Sequence, residues 1–307
     1  MKHAFIMDPL EAVKTHKDTS YFLMLAACEQ GHQVYYLDAG DLYVKDSSVM
    51  ATAQRVNVQD DPQVPFEPES EEPVLMADMD AVWIRTDPPV DRAYFYMTML
   101  LDLLPASVKV INRPSTIRDW NEKLAALQYP QFTPATMVAR HSAQIVDFVQ
   151  QHGRTTLKPV DGHGGAGILF VDAEQSDLDS QIRLATHGGS HWVIVQQYLD
   201  AAKDGDKRIL LLNGEPLGAI LRLHAEGVEL NNLDQGGEAL ASEIIDRDRE
   251  ICAGLKTDLV SRGVVFAGID VIGGMLIEIN ITSPTGLQEM SRHDNRSYHK
   301  EIIASLE

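Results

Sequence analysis

The sequence predicts a mixed α/β (α+β) protein with more than one domain, and three observations support this fold class. The chain opens with a strand, a helix and a second strand, which is typical of a layered α/β domain. A glycine-rich stretch in mid-chain stands between two apolar, strand-like runs. The last third holds two pairs of apolar runs joined by Asn-Gly and Gly-Gly, which predicts two β-hairpins.

The N-terminal elements follow in a regular order. "HAFIM" and "QVYYL" are predicted strands, and between them the helical periodicity of residues 17–30 begins at a capping Asp18 or Thr19 and ends at Gly31. The acidic, proline-rich stretch 60–74 is predicted to be a solvated surface loop. The strand "DAVWI", the helix "YFYMTMLLDLL" and the strand "VKVIN" follow, so the first domain is expected to end near Trp120.

The pattern changes after Trp120. "NEKLAAL" is predicted to be helical, and "TTLKPV", "GILFV" and "HWVIVQQYL" are predicted strands. "KRILLLNGEPLGAILRL" predicts a hairpin that turns at Asn213 and Gly214, and "VVFAGIDVIGGMLIEINI" predicts another at Gly273 and Gly274. A long amphipathic helix, "SEIIDRDREICAGLKTDLVSRG", lies between the hairpins. The second half is therefore strand-rich and differs in kind from the first.

Composition limits the class of partner. The 307 residues carry a net charge of −19, which argues against unaided binding to nucleic acid and against docking on an anionic membrane. No 18-residue apolar span is present, and the N-terminal "MKHAFIMDPL" is too short an apolar run for a signal peptide. Cys28 and Cys252 are expected to be free thiols. We expect a cytoplasmic protein that acts on small molecules.

The glycine loop "KPVDGHGGAGI" allows several interpretations. Residues 162–167 spell G-x-G-x-x-G, but a dinucleotide-binding turn should open into a helix, and here a strand follows. A P-loop needs Gly-Lys-Ser/Thr, whereas Gly167 is followed by Ile168. A flexible hairpin turn remains possible. The fourth interpretation is a flap whose backbone N–H groups face phosphates, with Lys158 adding a positive charge.

A metal site is predicted in the second hairpin. Glu278 and Asn280 are two residues apart on one strand, so they share a face, and the Gly-Gly turn brings Asp270 opposite that face. The alternating isoleucines at 277, 279 and 281 predict that the other face is dry. Carboxylate and amide oxygens are hard ligands that suit Mg²⁺ together with phosphate oxygens. A merely solvated polar face is the alternative.

Further polar positions fit a nucleotide site. The strand end formed by Gln197, Tyr198 and Leu199 can present backbone groups to an adenine edge. Arg208, which follows on entry to the next strand, can clamp a phosphate or a carboxylate, although a surface charge cluster at a turn is equally consistent. Lys123 is predicted to lie on a helix near the domain junction, where most lysines are surface residues.

Taken in order, these motifs resemble a known family. "RTDPP", "VINRPSTIRDWNEKL", "LKPVDGHGGAGI", "QQYL", "KDGDKRILLLNGEP", "GIDVIGG" and "IEINITSPTG" are together similar to the prokaryotic glutathione synthetases, which are ATP-grasp ligases. The resemblance implies an ATP-grasp fold with an N-terminal α/β domain (1–120), a central lid subdomain (121–200) and a C-terminal catalytic antiparallel-sheet subdomain (201–307). It also implies a homo-oligomer, either a dimer or a tetramer.

The family reaction is implied as well. ATP phosphorylates the C-terminal carboxylate of γ-glutamylcysteine, and the amine of glycine captures the acyl phosphate to give glutathione. ATP and Mg²⁺, or Mn²⁺ in its place, are the expected cofactors. Two anions must approach one another in this reaction, so cationic groups in a closed site are needed to offset their charge.

The resemblance assigns roles residue by residue. The catalytic residues it implies are Arg208 and Arg222. The nucleotide-binding residues are Lys123, Lys158, Gly162, Gly164, Gly165, Gly167, Gln197, Tyr198, Leu199 and Asp206. The metal ligands are Asp270, Glu278 and Asn280. The substrate-binding residues are Asp18, Ser20, Arg85, Asn112, Ser283, Pro284 and Thr285.

One segment departs from the family pattern. The family has a mobile loop with two arginines after the residue matched by Arg222, whereas residues 223–243 here read "LHAEGVELNNLDQGGEALASE", with Leu230 and Glu238 at the expected arginine positions. Either the loop tolerates the change, or the chain is a divergent ligase with a different amine or acyl substrate, since an acidic loop disfavours an anionic acceptor. A non-catalytic nucleotide-binding relative is a third alternative.

Overall fold

The computed structural model describes residues 1–224 and 237–307. Its N-terminal part is a sheet with helices packed on it. Its strands run in the order β3-β4-β2-β1-β7-β8, and β5 and β6 pair with β4. The strands are β1 (Lys2–Ile6), β2 (Gln33–Leu37), β3 (Leu42–Lys45), β4 (Ser48–Val58), β5 (Phe66–Pro68), β6 (Glu72–Leu75), β7 (Ala81–Ile84) and β8 (Lys109–Ile111). The helices are α1 (Thr19–Glu29), α2 (Arg92–Leu101) and α3 (Pro114–Asp119).

The predicted β-α-β opening is confirmed. The Asp18 side chain caps α1 by accepting a hydrogen bond from Tyr21 N (2.7 Å), and Gly31 follows the helix with φ of +78°. Strand β1 pairs in parallel with β2 and β7 at the centre of the sheet. Parallel strands place their carboxyl ends at one edge, so Asp8, just after β1, and Arg85, just after β7, meet beside the cleft described below.

The prediction of a solvated loop at 60–74 is wrong in part. The stretch contains β5 and the start of β6, and both pair antiparallel with β4. Strand β4 was not predicted from the sequence, although its buried positions alternate with more exposed ones. Two of those buried positions are Ala51 and Ala53, whose small side chains give a weak period-two signal.

The central part of the chain forms a second sheet. Its four antiparallel strands run in the order β11-β10-β12-β9, and the glycine loop joins β10 to β11. The strands are β9 (Thr136–Ala139), β10 (Thr155–Pro159), β11 (Leu169–Val171) and β12 (Val193–Gln197), and the helices are α4 (Ser142–His152) and α5 (Leu178–Ala185). Its hydrophobic core, which includes Ile145, Leu157, Ile182 and Val195, contains residues of this part alone.

The predicted hairpins form a third, antiparallel sheet with the order β15-β14-β13-β16-β17. The strands are β13 (Asp206–Leu212), β14 (Glu215–Leu223), β15 (Glu238–Ala241), β16 (Phe266–Ile272) and β17 (Met275–Asn280). The helices are α6 (Asp246–Ser261), α7 (Leu287–Asp294) and α8 (Tyr298–Ala304). Side chains of this sheet share two hydrophobic cores with the N-terminal domain, so these two parts pack as one body.

The predicted helix at "NEKLAAL" is wrong. Lys123 lies on a turn, and only Ala125–Gln128 form a short 3-10 helix. The Asn121 side-chain oxygen accepts hydrogen bonds from the backbone N–H of Lys123 and of Leu124, at 3.0 Å each. This local bond replaces helical pairing and turns the chain, so Lys123 faces the cleft.

None of the helices in the described ranges is long and apolar enough to cross a membrane.

A chain of hydrogen bonds holds a buried histidine in one tautomer. Trp83 Nε1 donates to His3 Nδ1 (3.1 Å), so His3 carries its proton on Nε2, which lies 3.0 Å from His32 Nδ1. His32 Nε2 lies in turn 3.2 Å from the carboxylate of Glu307. Burial, with a smaller contribution from His32, lowers the pKa of His3 to about 4. This chain of hydrogen bonds therefore requires that His3 be neutral.

We predict that the protein loses stability as pH falls from about 6.5 to 4. His3 binds a proton more readily in the unfolded chain, so its contribution is complete above pH 6.5 and is lost as pH falls through the folded pKa. The loss is about 3 kcal/mol in the free energy of unfolding. Urea denaturation of the wild type and His3→Gln across this range measures it, with His141→Gln, at an exposed site, as control. If the free energy of unfolding of His3→Gln fell with pH as steeply as that of the wild type, the assignment to His3 would be contradicted.

Candidate active site

A large cleft of about 810 Å³ lies where the three sheets meet. Residues of all three parts of the chain line it. It contains the predicted residues Asp18, Ser20, Arg85, Lys123, Lys158, Gly162, Gly164, Gly165, Gln197, Tyr198, Leu199, Asp206, Arg208, Arg222, Asp270, Glu278, Asn280, Ser283, Pro284 and Thr285. The structure therefore brings together every predicted site residue except Gly167 and Asn112.

Strand register places the predicted metal ligands side by side. Asp270 on β16 is paired with Glu278 on β17, and Asn280 is paired with Gly268. Asn280 Nδ2 lies 3.5 Å from Asp270 Oδ2. The intervening Ile279 is fully buried on the opposite face, as the alternation predicts, but the prediction is wrong for Ile277, which lies at a register shift between β16 and β17 and lines the cleft. No group of three His, Cys, Asp or Glu side chains in residues 1–224 and 237–307 is arranged as a metal cage. The predicted set instead combines two carboxylates with an amide.

Two arginines hold Asp270. Arg208, directly opposite on β13, donates from Nε (2.5 Å) and Nη2 (3.0 Å) to its two oxygens, and Arg222 Nη2 lies 2.9 Å from Oδ2. Burial tends to raise the pKa of Asp270, but Arg208 and Arg222 outweigh it and hold the pKa well below its ordinary value. Asp270 is therefore ionised throughout the physiological range.

The same network contains a second carboxylate. Arg222 donates from Nε (2.6 Å) and Nη2 (2.9 Å) to Asp206, its register partner on β13. Burial raises the pKa of Asp206 to about 6, although Arg222 opposes the increase. Arg222 thus bridges two buried carboxylates, which fixes its guanidinium plane.

Lys123 joins the third sheet to the glycine loop. Its Nζ lies 2.9 Å from Glu278 Oε1 and donates to the carbonyl oxygen of Gly162 (2.6 Å). Burial is the largest single effect and lowers the pKa of Lys123, but the charge and hydrogen bond of Glu278, together with the charges of Glu122 and Asp270, outweigh it, so the pKa is raised. The lysine is therefore a cation shared by the glycine loop and the face of the third sheet that carries Asp270, Glu278 and Asn280, called the acidic face below.

Lys158 is in a different environment. Its Nζ donates to Gln196 Oε1 (2.8 Å), a neutral amide that is itself held by Thr136. Burial lowers the pKa of Lys158 to about 8, which Glu278 only partly offsets. Of the two lysines of this site, Lys158 is therefore the one whose pKa an incoming anion would raise most.

The glycine loop has the geometry of a flap. Gly164, Gly165 and Gly167 have φ of +60°, +80° and +74°, so the loop needs residues without a side chain at these positions. Gly167 lies outside the cleft lining, which corrects its expected position at the phosphates. A Cβ there would lie 2.8 Å from Pro159 Cγ, so its role is to let the loop pack on β10.

An aromatic pair lines one end of the cleft. The rings of Phe170 and Tyr198 meet edge to face with centroids 5.7 Å apart, and the Arg154 guanidinium lies 4.2 Å from the Tyr198 ring centroid. Tyr198 N donates to Arg154 O (2.9 Å), so Tyr198 N–H is already paired. Ile272 and Ile277 complete an apolar slot of the kind that accepts a planar base.

The opposite end is formed by the N-terminal domain. Arg85 is buried; its Nε donates to Ser20 Oγ (2.9 Å) and its Nη2 to Pro284 O (3.1 Å). Ser283 Oγ donates to Asp87 Oδ1 (2.6 Å). Burial raises the pKa of Asp18, which also caps α1. This end therefore offers a cation flanked by carboxylates.

Asn112 does not belong to the cleft, which corrects the expectation that it faces a substrate. Its side chain donates to Phe266 O (2.6 Å) and Ile281 O (2.7 Å) and accepts from the backbone N–H of Val265 (2.8 Å) and Phe266 (3.0 Å). It is 2% exposed. Its hydrogen bonds join the end of β8 to the third sheet, so its role is structural.

Sequence reasoning missed several lining residues. Glu122 Oε1 accepts hydrogen bonds from Ile281 N, Thr282 N and Thr282 Oγ1, and burial followed by Glu278 raises its pKa. In the sequence, the position of Glu122 next to the predicted site residue Lys123 could have indicated that it lines the cleft. Gln196 is a polar residue inside an apolar strand, which also marks it. Phe170 gave no signal beyond its strand.

Leu230 and Glu238 are the two positions where the sequence lacks the arginines expected from the family pattern. Leu230 lies outside the described residues. Glu238 begins β15, where it is exposed and paired with Leu223.

Solved structures share the fold of this chain. The crystal structure of the D-cycloserine synthetase DcsG matches with a TM-score of 0.70 at 15% identity, covering 100% of each chain. The ATP-grasp ligase PsnB complexed with its minimal precursor matches with a TM-score of 0.65 at 17% identity, covering 99% of this chain and 97% of that one. Such identities show the fold alone, and the fold is that of the ATP-grasp enzymes, as the sequence predicts.

Sequence relatives identify the family. The N-terminal domain model of prokaryotic glutathione synthetase matches residues 1–118, and the ATP-grasp domain model of that family matches residues 122–295. Glutathione synthetase of Gloeobacter violaceus is 41% identical over 309 residues, covering 99% of this chain and 95% of that protein. That of Vibrio cholerae is 34% identical over 309 residues, covering 100% and 97%. The chain belongs to the prokaryotic glutathione synthetase family and is an ATP-dependent carbon–nitrogen ligase.

We predict that Asn112→Ala lowers the free energy of unfolding by about 3 kcal/mol, because it leaves buried backbone groups without partners. The Michaelis constants of the substrates should change less than about twofold. Urea denaturation and steady-state kinetics measure the two effects, with the exposed Asn57→Ala as control. A stable Asn112→Ala protein with a raised acyl-substrate KM would restore the substrate-facing role.

Proposed function

We propose that the protein joins γ-glutamylcysteine to glycine at the expense of ATP, giving glutathione, ADP and phosphate. One observation supports this most strongly: Arg208, Asp270 and Glu278 stand in register across three strands, with Lys123 linking them to the glycine loop. The apolar slot that contains Phe170 and Tyr198 and the buried Arg85 line the same cleft as this row. Such a cleft can hold a nucleotide and a peptide carboxylate together.

The chemistry consists of two displacements. An oxygen of the peptide carboxylate attacks the γ-phosphorus of ATP, and the β–γ bridging bond breaks with its electron pair going to ADP. The amine nitrogen then attacks the acyl carbon, the carbon–oxygen bond to phosphate breaks, and phosphate leaves with that pair. The ammonium group loses one proton before the attack, and the nitrogen loses a second as the amide forms; both protons go to phosphate or to solvent. Cations near the transferred group offset the charge of the approaching anions.

We assign roles to the chain's residues on this basis. Lys123, Lys158 and the N–H groups of Gly162, Gly164 and Gly165 contact the phosphates, Gln197, Tyr198 and Leu199 border the adenine, and Asp206 contacts the nucleotide side. Arg208 and Arg222 stabilise the charge of the phosphoryl and tetrahedral stages. Arg85, Asp18, Ser20, Ser283, Pro284 and Thr285 position the peptide.

The family uses ATP with a divalent metal ion, and the acidic face fits one. Asp270, Glu278 and Asn280 would hold it, because they lie side by side on two paired strands and carry the hard oxygen donors that such an ion prefers. The ion supplies Lewis-acid neutralisation of phosphate charge. We propose Mg²⁺, with Mn²⁺ as a substitute that has the same ligand preference.

Three further assignments belong to the proposal. We keep the subdomains as 1–120, 121–200 and 201–307, since each sheet lies within one of them. The reaction is placed in the cytoplasm, in keeping with the free thiols Cys28 and Cys252. The assembly is a homodimer or homotetramer.

A divergent ligase with a different amine is the second candidate. It is favoured by Glu238 at a position where the family resemblance leads us to expect arginine, because a negative charge disfavours an anionic acceptor.

Product analysis tests the proposal. Purified protein with ATP, Mg²⁺, γ-glutamylcysteine and glycine should form glutathione, ADP and phosphate in equal amounts, as measured by mass spectrometry and coupled ADP release. Asp270→Asn should lower kcat at least about 100-fold, because it removes the charge of a predicted metal ligand, takes the carboxylate away from Arg208 and leaves Arg222 paired with Asp206 alone. Asp172→Asn, at an exposed site, is the control. Faster turnover with glycinamide or a diamine than with glycine would favour the divergent ligase.

We predict that ATP binding takes up a proton near pH 8.5. The pKa of Lys158 is about 8 in the free protein, and adjacent phosphates would raise it towards the ordinary value. ATP affinity should therefore fall as pH rises above 8 and stay flat from 6.5 to 7.5. Calorimetry in buffers of different ionisation enthalpy measures the uptake. Lys158→Met should abolish it, and uptake that persists in this variant would contradict the prediction.

A further inference from the structure

Helix α2 is apolar on two opposite sides. Tyr94 and Leu101 are buried in the hydrophobic core that the first and third sheets share. Phe95, Tyr96 and Met99 lie on the other side of the helix and are 37%, 59% and 50% exposed. A surface helix ordinarily has a polar outer side, and a helix that is apolar all round is normally covered on both sides. The outer side of α2 is therefore of the kind that another molecule covers.

The exposed apolar side chains of the molecule are concentrated here. Among residues 1–224 and 237–307, eleven large hydrophobic side chains are exposed, and six of them lie on α2, on the turn that follows it or on the neighbouring strand β3. They are Tyr43, Val44, Phe95, Tyr96, Met99 and Leu103, called the α2 face below. Such a concentration distinguishes an interaction surface from the single exposed hydrophobic residues found on most proteins.

The α2 face has the area that two copies of the chain need. With about 200 Å² for a whole large side chain, its six residues expose on the order of 500 Å². Two such faces would together bury on the order of 1,000 Å², which is about the least that a specific protein–protein interface requires, and the polar rim adds to it. The α2 face can therefore form the centre of an interface between two copies.

Opposite charges stand at the two ends of the α2 face. Arg92 is exposed at the N-terminal end of α2, one helical turn before Phe95 and therefore on the same side of the helix. Asp102 caps the C-terminal end, one turn after Met99. Arg118 Nη2 lies 2.5 Å from Asp102 Oδ2, but the Asp102 side chain is still 36% exposed. Each end of the face therefore offers one charge to a partner.

The charge pattern selects one way of pairing two copies. A two-fold axis can relate two α2 helices in a parallel or an antiparallel arrangement. The parallel arrangement would set Arg92 against Arg92 and Asp102 against Asp102. The antiparallel arrangement sets Arg92 of each copy beside Asp102 of the other, and it also opposes the two helix dipoles. Charge complementarity therefore favours an antiparallel pair.

We propose that the α2 face binds a second copy of this chain, with the two α2 helices antiparallel and Arg92 of each copy beside Asp102 of the other. The proposal rests on the homo-oligomer that belongs to the proposed function, and it assigns that oligomer an interface. Tyr96 and Met99 lie near the middle of the face, so they are closest to the two-fold axis. Residues at the centre of an interface contribute most of the binding free energy, so substitutions there should have the largest effect.

Sedimentation equilibrium of Tyr96→Glu tests the surface. The wild type should be an oligomer, and the variant should have half its mass, with a dissociation constant raised at least about 100-fold, because a charge enters the apolar centre of the interface. Leu184→Glu, at an exposed apolar position on α5, is the matched control and should keep the mass of the wild type. An unchanged mass in Tyr96→Glu would overturn this surface and leave the proposed oligomer standing, whereas a monomeric wild type would overturn both.

Arg92→Ala tests the antiparallel arrangement. Removing the arginine should weaken self-association about fivefold, because each copy loses an opposite charge in its partner. In a parallel pair the same substitution would remove repulsion and strengthen self-association. Arg249→Ala, at an exposed position on α6, is the control. An unchanged or tighter oligomer in Arg92→Ala would overturn the antiparallel pairing.

Thermal unfolding at several protein concentrations separates loss of the interface from loss of the fold. Association stabilises the folded chain by mass action, so the unfolding temperature of the wild type should rise with concentration. That of Tyr96→Glu should not, while its circular dichroism stays that of the wild type. A concentration-dependent unfolding temperature in Tyr96→Glu would overturn the surface. None of these measurements depends on the reaction, so a failure of glutathione formation would overturn the proposed chemistry without affecting the interface.

Discussion

The buried ion network around Asp270 is the constraint on which the site depends. Arg208 and Arg222 hold this carboxylate from two sides, and Arg222 also holds Asp206. Buried charges are costly unless they are paired and hydrogen-bonded, so each of these side chains is fixed in position by the others. The positive groups are in place before a substrate arrives and need little rearrangement when charge moves between ATP and the acyl group.

The network is positioned by packing between domains. The third sheet shares its hydrophobic cores with the N-terminal domain, and Asn112 fastens the end of β8 to Phe266 and Ile281. Arg85 reaches from β7 to Pro284 in the same way. The peptide end of the cleft and the acidic face are therefore parts of one body, which fixes the distance between them.

Sequence reasoning succeeded where local pattern and motif agree. The two hairpins, the capped helix α1 and the alternation at Glu278 and Asn280 follow from turn residues and periodicity, which act over a few neighbours. It failed at Asn112 and Lys123, because a polar residue in a motif can serve the backbone as readily as a ligand, and a side-chain cap can replace a helix.

The central sheet has a consequence for any movement of this part of the chain relative to the other two. Its core, from Ala139 to Val195, contains none of the side chains of the other two sheets. A rotation of this part about its connections would expose little apolar surface. The heat-capacity change of a conformational transition follows the apolar area that becomes hydrated. Opening and closing should therefore have a heat-capacity change close to zero. The balance between the two forms would then vary little with temperature, so access for ATP would be similar in cold and warm surroundings.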